Sequence, residues 1–232
     1  MKITKPLLLS LPRIAIFFGA MSVGVSAFAA DLTAEFDAKH KTCLERIAED
    51  NNLAYEEAMI WQDEGGGRRA KHCVAMALYA LGHEDEAASR LDALAMASDG
   101  GTKLMRADFY AEAANFWLVD GQADRAYKSA SDGLKLRKDH VDLRIARARA
   151  YALLERYDYA ETDLTSVLKF APNNPDALRY RADAKMKQGR LSEAKIDIES
   201  ALRADPTKVE TALLRGQINE AIRLESLPKP SN

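Results

Sequence analysis

Small apolar residues recur along this chain at a fixed interval. One alanine series and a second series twelve positions further on both advance in steps of 39, 34 and 34 residues; they are Ala75, Ala114, Ala148, Ala182 and Ala87, Ala126, Ala160, Ala194. Apolar residues around each alanine follow helical spacing. The period predicts a stacked array of helix-turn-helix units, in which each unit buries its apolar face against its neighbours.

Residues between the two helices of each unit support this prediction. They include Gly82, Gly121, Glu155 and Gly189, and glycine at three of four places is typical of a helix that ends in a left-handed residue. Before the array, Asp31 to Asp50 predicts one further helix, and a shorter second helix runs to the glycine triplet at 65–67. The triplet lacks the Lys-Ser/Thr and strand context of a phosphate-binding loop, so we expect a tight corner there.

The repeated blocks resemble a known family. The block from Leu178 to Pro206, with Ala182, Gly189 and Ala194, resembles a tetratricopeptide repeat almost throughout, and the three preceding blocks resemble it less completely. The resemblance covers residues 68–206. It implies an all-α, right-handed solenoid. The predicted parts of the whole chain are a signal peptide (1–30), an atypical N-terminal helix pair (31–67), units at 68–101, 107–140, 141–174 and 175–206, a C-terminal capping helix (207–226) and a flexible tail (227–232).

The resemblance also implies a concave groove, lined by the first helix of each unit, that holds a peptide or a helix of a partner. A stripe on these helices supplies the candidate partner-binding residues, which are Arg69, His72, Met76, Tyr79, Asn115, Leu118, Arg149, Arg179, Asp183 and Met186. An amide or guanidinium group could fix the register of a guest, and the apolar members could pack against it. The alternative is a solvated helix face without a ligand. The positions of the family's carboxylate clamp carry other residue types, so a receptor for chaperone tails is not expected.

The first 30 residues are typical of an export signal. Lys2, Lys5 and Arg13 precede an uncharged run of 17 residues, Ile14 to Ala30, which ends in small residues around Phe28. This pattern predicts cleavage near Ala30 and a periplasmic protein. The alternative is an uncleaved membrane anchor, although the run is shorter than the ~20 apolar residues of a comfortable span.

Charge and cysteine content narrow the partner classes. The whole chain has 33 basic and 35 acidic residues; without the three basic residues of the signal segment the net charge is −5. This acidic excess argues against nucleic acid as a partner. In an exported chain Cys43 and Cys73 favour a disulfide. The alternatives are free thiols or a metal site shared with His40 and His72, which would need poorly converging side chains.

A basic stretch and the lack of catalytic motifs complete the picture. The stretch contains Arg137, Lys138, Arg144, Arg147, Arg149 and Arg156. We expect a solvated face neutralised by interleaved acids such as Asp139 and Asp142; the alternative is a docking patch for an acidic partner or anionic lipid. No nucleophile or cofactor motif is evident. The sequence therefore predicts a non-enzymatic exported adaptor without a cofactor, and the alternative is a self-associating scaffold.

Overall fold

The computed structural model describes residues 23–227, with side chains from residue 33 onward. Within 23–227 it contains eleven helices and no strand: α1 Val23–Glu49, α2 Asn51–Asp63, α3 Gly67–Ala80, α4 Glu84–Met96, α5 Lys103–Val119, α6 Ala123–Leu136, α7 Val141–Leu153, α8 Tyr157–Phe170, α9 Pro175–Lys187, α10 Leu191–Ala204 and α11 Val209–Glu225. The charged start of the predicted signal peptide and most of the predicted tail lie outside the described residues. The described part of the first helix starts at Val23, so this helix extends upstream of the predicted start at Asp31.

Each helix packs against the next one in the chain, and the odd-numbered helices also contact one another along one side of the stack. This single file of helical hairpins confirms the predicted all-α solenoid. All eight alanines of the two periodic series are buried, because a side chain no larger than a methyl group lets neighbouring helices approach closely. At Gly133 the neighbouring helices are so close that even a methyl group would not fit, because a Cβ there would lie 2.7 Å from Leu143.

The turns inside the four units adopt the predicted left-handed backbone. Gly82, Gly121 and Gly189 have φ of 84°, 78° and 75°, and Glu155 takes the same conformation with φ of 58°. Glu155 is the one non-glycine residue with positive φ in the described part of the chain. The geometry of the turn is therefore the same in all four units, even where its usual residue is absent.

A disulfide joins the N-terminal hairpin to the array. Cys43 of α1 and Cys73 of α3 are bonded, with a Cα–Cα distance of 6.3 Å. The Asn51 side chain of α2 donates a hydrogen bond of 2.9 Å to the carbonyl of Ala80. These contacts seat α1 and α2 on the first unit. None of the helices in residues 23–227 combines the length and the apolar character needed to cross a membrane.

Buried ion pairs repeat with the same period as the alanines. Arg147 of α7 donates two hydrogen bonds of 2.7 Å to Asp163 of α8, and 34 residues later Arg181 donates two of 2.8 and 2.7 Å to Asp197. Both carboxylates are almost fully buried. Interleaved acids therefore neutralise only part of the basic stretch: Arg137 pairs with Asp139 as expected, whereas Arg144 and Arg147 both pair with Asp163 on the following helix.

Candidate functional site

The first helices of the last three units form one face of the stack, which we call the inner face. A cavity of about 440 Å³ opens on it. Its lining combines apolar, aromatic and charged side chains: Leu118 from α5; Arg149, Ala152 and Leu153 from α7; Glu155 from the following turn; Tyr157 from the start of α8; and Tyr180, Asp183 and Lys187 from α9. Three consecutive units thus contribute to one concave site, and the molecule's own side chains leave it open.

Two arginines hold an aromatic ring at the centre of the site. The guanidinium of Arg179 lies 3.9 Å from the centre of the Tyr180 ring, and that of Arg149 lies 5.3 Å from it. Arg149 also donates a hydrogen bond of 2.8 Å to the side-chain oxygen of Asn115. The positive groups are attracted to the faces of the ring and restrict its orientation. Tyr180 is consequently a preorganised contact surface.

Asp183 is the partly buried carboxylate of the site, and it remains available to a ligand. It accepts no hydrogen bond and forms no ion pair with the residues that the structure describes. Removal from water raises the pKa of Asp183, and the positive charges of Lys187 and Arg179 oppose this effect from a distance. A partly buried carboxylate without donors gains most from a guest that supplies an N–H group or a basic side chain.

An apolar wall faces these polar groups. Leu118 is buried against the neighbouring helices, whereas Leu153 is 58% exposed at the rim of the cavity. An exposed leucine beside a preformed concavity is a contact that a guest can cover, with the hydrophobic gain of the buried area. The site is thus suited to an amphipathic segment.

Comparison with known proteins identifies the fold. No family model matches the sequence. Among solved structures, TTC0263 of Thermus thermophilus, a tetratricopeptide protein, is similar over 79% of this chain and 99% of its own, with 20% identity and a TM-score of 0.58. The MamA RS-1 ArsTM double mutant is similar over 68% of this chain and 85% of its own, with 18% identity and a TM-score of 0.57. The fold is a tetratricopeptide-repeat solenoid.

The structure brings some of the predicted site residues together on the inner face of the tetratricopeptide array. Leu118, Arg149 and Asp183 line the cavity, and Asn115 and Arg179 support it through Arg149 and Tyr180. Their common position follows from the 34-residue step, because Asn115, Arg149 and Asp183 occupy the same place in three successive units. These five residues form the part of the stripe that is located at one site.

The other predicted residues are engaged within the fold. Arg69 donates a hydrogen bond of 2.5 Å to Asp37, and Tyr79 stacks on Phe116 with ring centres 3.8 Å apart. The two methionines of the stripe pack against the hydrophobic core; they are Met76 and Met186. Between α3 and α5 the inner face is therefore closed by internal contacts.

His72 belongs to a buried polar chain. Its Nδ1 lies 2.9 Å from Nε2 of His40, and its Nε2 lies 2.8 Å from a carboxylate oxygen of Glu112. The chain joins α1, α3 and α5 beside the disulfide. Among the residues that the structure describes, no group of three histidine, cysteine or acidic side chains is arranged to hold a metal ion. Cys43 and Cys73, the cysteines of the alternative metal hypothesis, are bonded to each other in the disulfide.

Sequence reasoning missed Tyr180, which is central to the cavity. The predicted stripe followed one residue per turn, and Tyr180 lies beside it, three residues before Asp183 on the same side of α9. A wider stripe would have included it. Lys187 and Leu153 were missed for the same reason, because they lie four residues after the stripe residues Asp183 and Arg149, one turn further along the same side of the helix.

Proposed function

We propose that this protein is an exported, non-enzymatic adaptor that binds a peptide or a helix of a partner on the inner face of its tetratricopeptide array. The open cavity between Arg149, Tyr180 and Asp183 carries the proposal. It offers an oriented aromatic ring, an apolar rim and an unpaired carboxylate, which are the features that position an extended or helical guest.

The guest would place its apolar side chains on Leu118 and Leu153. A basic side chain or a backbone N–H of the guest would reach Asp183, and the partner would gain register from this one polar contact.

Export is proposed from the sequence and from the cysteine chemistry. The charged and then apolar N-terminal segment is typical of a signal peptide. The Cys43–Cys73 bond suits an oxidising compartment such as the periplasm. Cell fractionation followed by intact-mass measurement tests this point: the mature chain should start near Ala30 or Asp31, and a full-length cytoplasmic chain would contradict it.

Site-specific photocrosslinking in cells tests the groove. A photoreactive amino acid at Leu153, on the cavity rim, should capture a partner protein. The matched control is Ile196, which is 66% exposed on the second helix α10 and lies outside this cavity. Asp183→Asn should reduce capture from position 153 without lowering the melting temperature, and Tyr180→Ala, which also removes packing against the core, should reduce capture further. Capture unchanged by both variants would remove the groove hypothesis.

The second candidate is a self-associating scaffold, favoured by exposed apolar side chains on the second helices. Phe170 of α8 is 79% exposed and Ile196 of α10 is 66% exposed, and such groups are typical of association surfaces when they lie close together. Light scattering with size exclusion distinguishes the candidates. A concentration-dependent oligomer that Phe170→Ser dissociates would favour the scaffold, and capture of a second copy from position 196 would agree with it.

A further inference from the structure

A second cavity, of about 360 Å³, lies between α6 and α7 and shares no residue with the inner-face site. It is lined by Tyr127, Ser131, Leu134, Lys135, Lys138, Arg144 and Arg147. Four of these seven side chains are basic. We call this group the α6–α7 basic pocket. It contains part of the basic stretch for which the sequence left open an interaction with an anion.

The acids near the pocket neutralise only part of its charge. Arg147 binds Asp163 through two hydrogen bonds, and Arg144 approaches the same carboxylate at 3.4 Å. Lys135 pairs with Asp132 at 2.6 Å. The ammonium group of Lys138 has no partner among the residues that the structure describes. Two carboxylates are therefore available to balance the four cations of the pocket, and one of them, Asp132, also binds Lys128 at 2.9 Å, which leaves at least two positive charges in excess.

Two polar atoms in this group are also unsatisfied. The Ser131 hydroxyl and Nε of Arg144 are both buried and have no hydrogen-bond partner. A buried donor without an acceptor is unfavourable, because it has lost its hydrogen bonds to water and gained none in return. Unsatisfied donors beside an excess of positive charge are complementary to an anion that carries several acceptor oxygens.

The next unit shows the same arrangement without these features. Its arginine, Arg181, binds Asp197 and also donates to Thr165 at 3.3 Å. Thr165 stands 34 residues after Ser131, so the equivalent hydroxyl is satisfied there. The positions equivalent to Arg144 and Lys138 carry uncharged residues, Leu178 and Pro172. The side chains of Lys138 and Arg144 and the unsatisfied hydroxyl are thus specific to the pocket, whereas the next unit keeps a lysine at the position of Lys135, Lys169, and has a second cation on its acid, Lys185.

We propose that the α6–α7 basic pocket binds a phosphate group, with Lys138 and Arg144 as its main charged contacts and Ser131 as a neutral donor. A phosphate monoester carries about −1.5 to −2 charges near neutral pH, which matches the two uncompensated cations. Its tetrahedral oxygens accept hydrogen bonds from several directions, as guanidinium, ammonium and hydroxyl donors require. The group is supplied either by a soluble phosphate compound or by a phospholipid headgroup.

Titration with inorganic phosphate, followed by amide chemical shifts at constant ionic strength, is the first test. We expect saturable shifts confined to the end of α6 and the start of α7. Lys138→Ala should weaken the apparent affinity about three- to fivefold, the effect of one exposed charged contact. The matched control Lys195→Ala removes an exposed lysine of α10 that forms no ion pair with the described residues and lines a different cavity, and it should leave the affinity unchanged.

Ser131→Ala separates binding from folding. It removes a hydroxyl that is unsatisfied in the free protein, so the melting temperature should stay the same or rise. Phosphate affinity should nevertheless fall, because the anion loses one donor. A phosphate titration that does not saturate, or equal effects of Lys138→Ala and Lys195→Ala, would overturn the proposal.

Sedimentation with vesicles distinguishes the two sources. Binding to phosphatidylcholine vesicles that contain phosphatidic acid, whose headgroup is a phosphate monoester, but not to phosphatidylcholine alone, would identify a lipid headgroup if Lys138→Ala weakens it. Saturable phosphate binding without vesicle binding would identify a soluble phosphate compound. Vesicle binding that survives Lys138→Ala, together with an unsaturable phosphate titration, would refute a site at this pocket.

Discussion

Arg149 and Asn115 stand 34 residues apart on the first helices of neighbouring units, and the Arg149 guanidinium donates a 2.8 Å hydrogen bond to the Asn115 side-chain oxygen. Asn115 in turn donates to the carbonyl of Ala111 at 3.0 Å on its own helix. The Asn115 amide therefore has a fixed orientation and holds Arg149 beside Tyr180. This relationship connects two repeats directly across the proposed binding face.

Replacement of Asn115 by alanine should release Arg149. We expect the free energy of unfolding to fall by about 1 kcal/mol, because a charged hydrogen bond is lost and the guanidinium remains partly exposed to water. Urea denaturation measures this change, and relaxation of the Arg149 Nε–H signal should show greater mobility. Asn219→Ala on the exposed side of α11 is the control. Equal stability losses in the two variants would contradict this role of Asn115.

Glu155 predicts a stabilising substitution. Its φ of 58° is the left-handed conformation that Gly82, Gly121 and Gly189 adopt in the other units. A side chain in this region costs roughly 1 kcal/mol, so Glu155→Gly should raise the unfolding free energy by up to about 1 kcal/mol. The matched variant Gly189→Ala should lower it by a similar amount. Thermal denaturation of both checks the sign, and a destabilised Glu155→Gly variant would disprove the backbone argument.

Removal of the disulfide should loosen the N-terminal hairpin. The bond spans a sequence separation of 30 residues, for which the chain-entropy estimate gives about 3.6 kcal/mol. Paired replacement of Cys43 and Cys73 by serine should lower the unfolding free energy by about this amount. Hydrogen exchange should increase most in α1 and α2, whereas α9 and α10 keep their protection. A uniform increase along the chain would show that the hairpin does not open separately.

His40 predicts loss of stability in mild acid. Burial lowers its pKa from 6.5 to about 4, and the neighbouring His72 and Arg69 act in the same direction against the opposing charges of Asp37 and Glu112. Between these two values the unfolded chain binds a proton that the folded chain does not. Stability is therefore complete above pH 6.5 and falls as the pH is lowered toward about 4.

The size of this effect is limited because His40 is only partly buried, and solvent screening reduces it to about 1–2 kcal/mol. Urea denaturation between pH 4 and 7 should show a flatter profile for His40→Gln than for the unchanged chain. The other acidic groups titrate in both proteins, so the difference between the two profiles isolates His40. Parallel profiles would rule out its contribution.

The sequence predicted the framework more completely than the site. The alanine period and the turn residues predicted the stack of helical hairpins, since both depend on contacts between residues close in the chain or one period apart. The pairing of Cys43 with Cys73 was favoured by the even cysteine count in a chain that looked exported. The stripe identified Leu118, Arg149 and Asp183 but placed His72 and Tyr79 in the same groove. Their contacts with Glu112 and Phe116 depend on how α3 and α5 approach each other after the five-residue insertion, which periodicity does not specify.

The sequence pattern by itself determined that this protein is a stack of helical hairpins. Small residues at a fixed interval allow close packing wherever two helices of a stack cross, and few other arrangements of helices would use such an interval. Tertiary structure decided which polar side chains satisfy one another and which are left without partners. Arg147 and Arg181 look alike in sequence, yet Ser131 remains unsatisfied beside the first whereas Thr165 accepts a hydrogen bond from the second. Satisfaction of a polar group depends on distances and directions in three dimensions, so the free Asp183 and the surplus charge of the α6–α7 basic pocket emerge only when the helices are packed together.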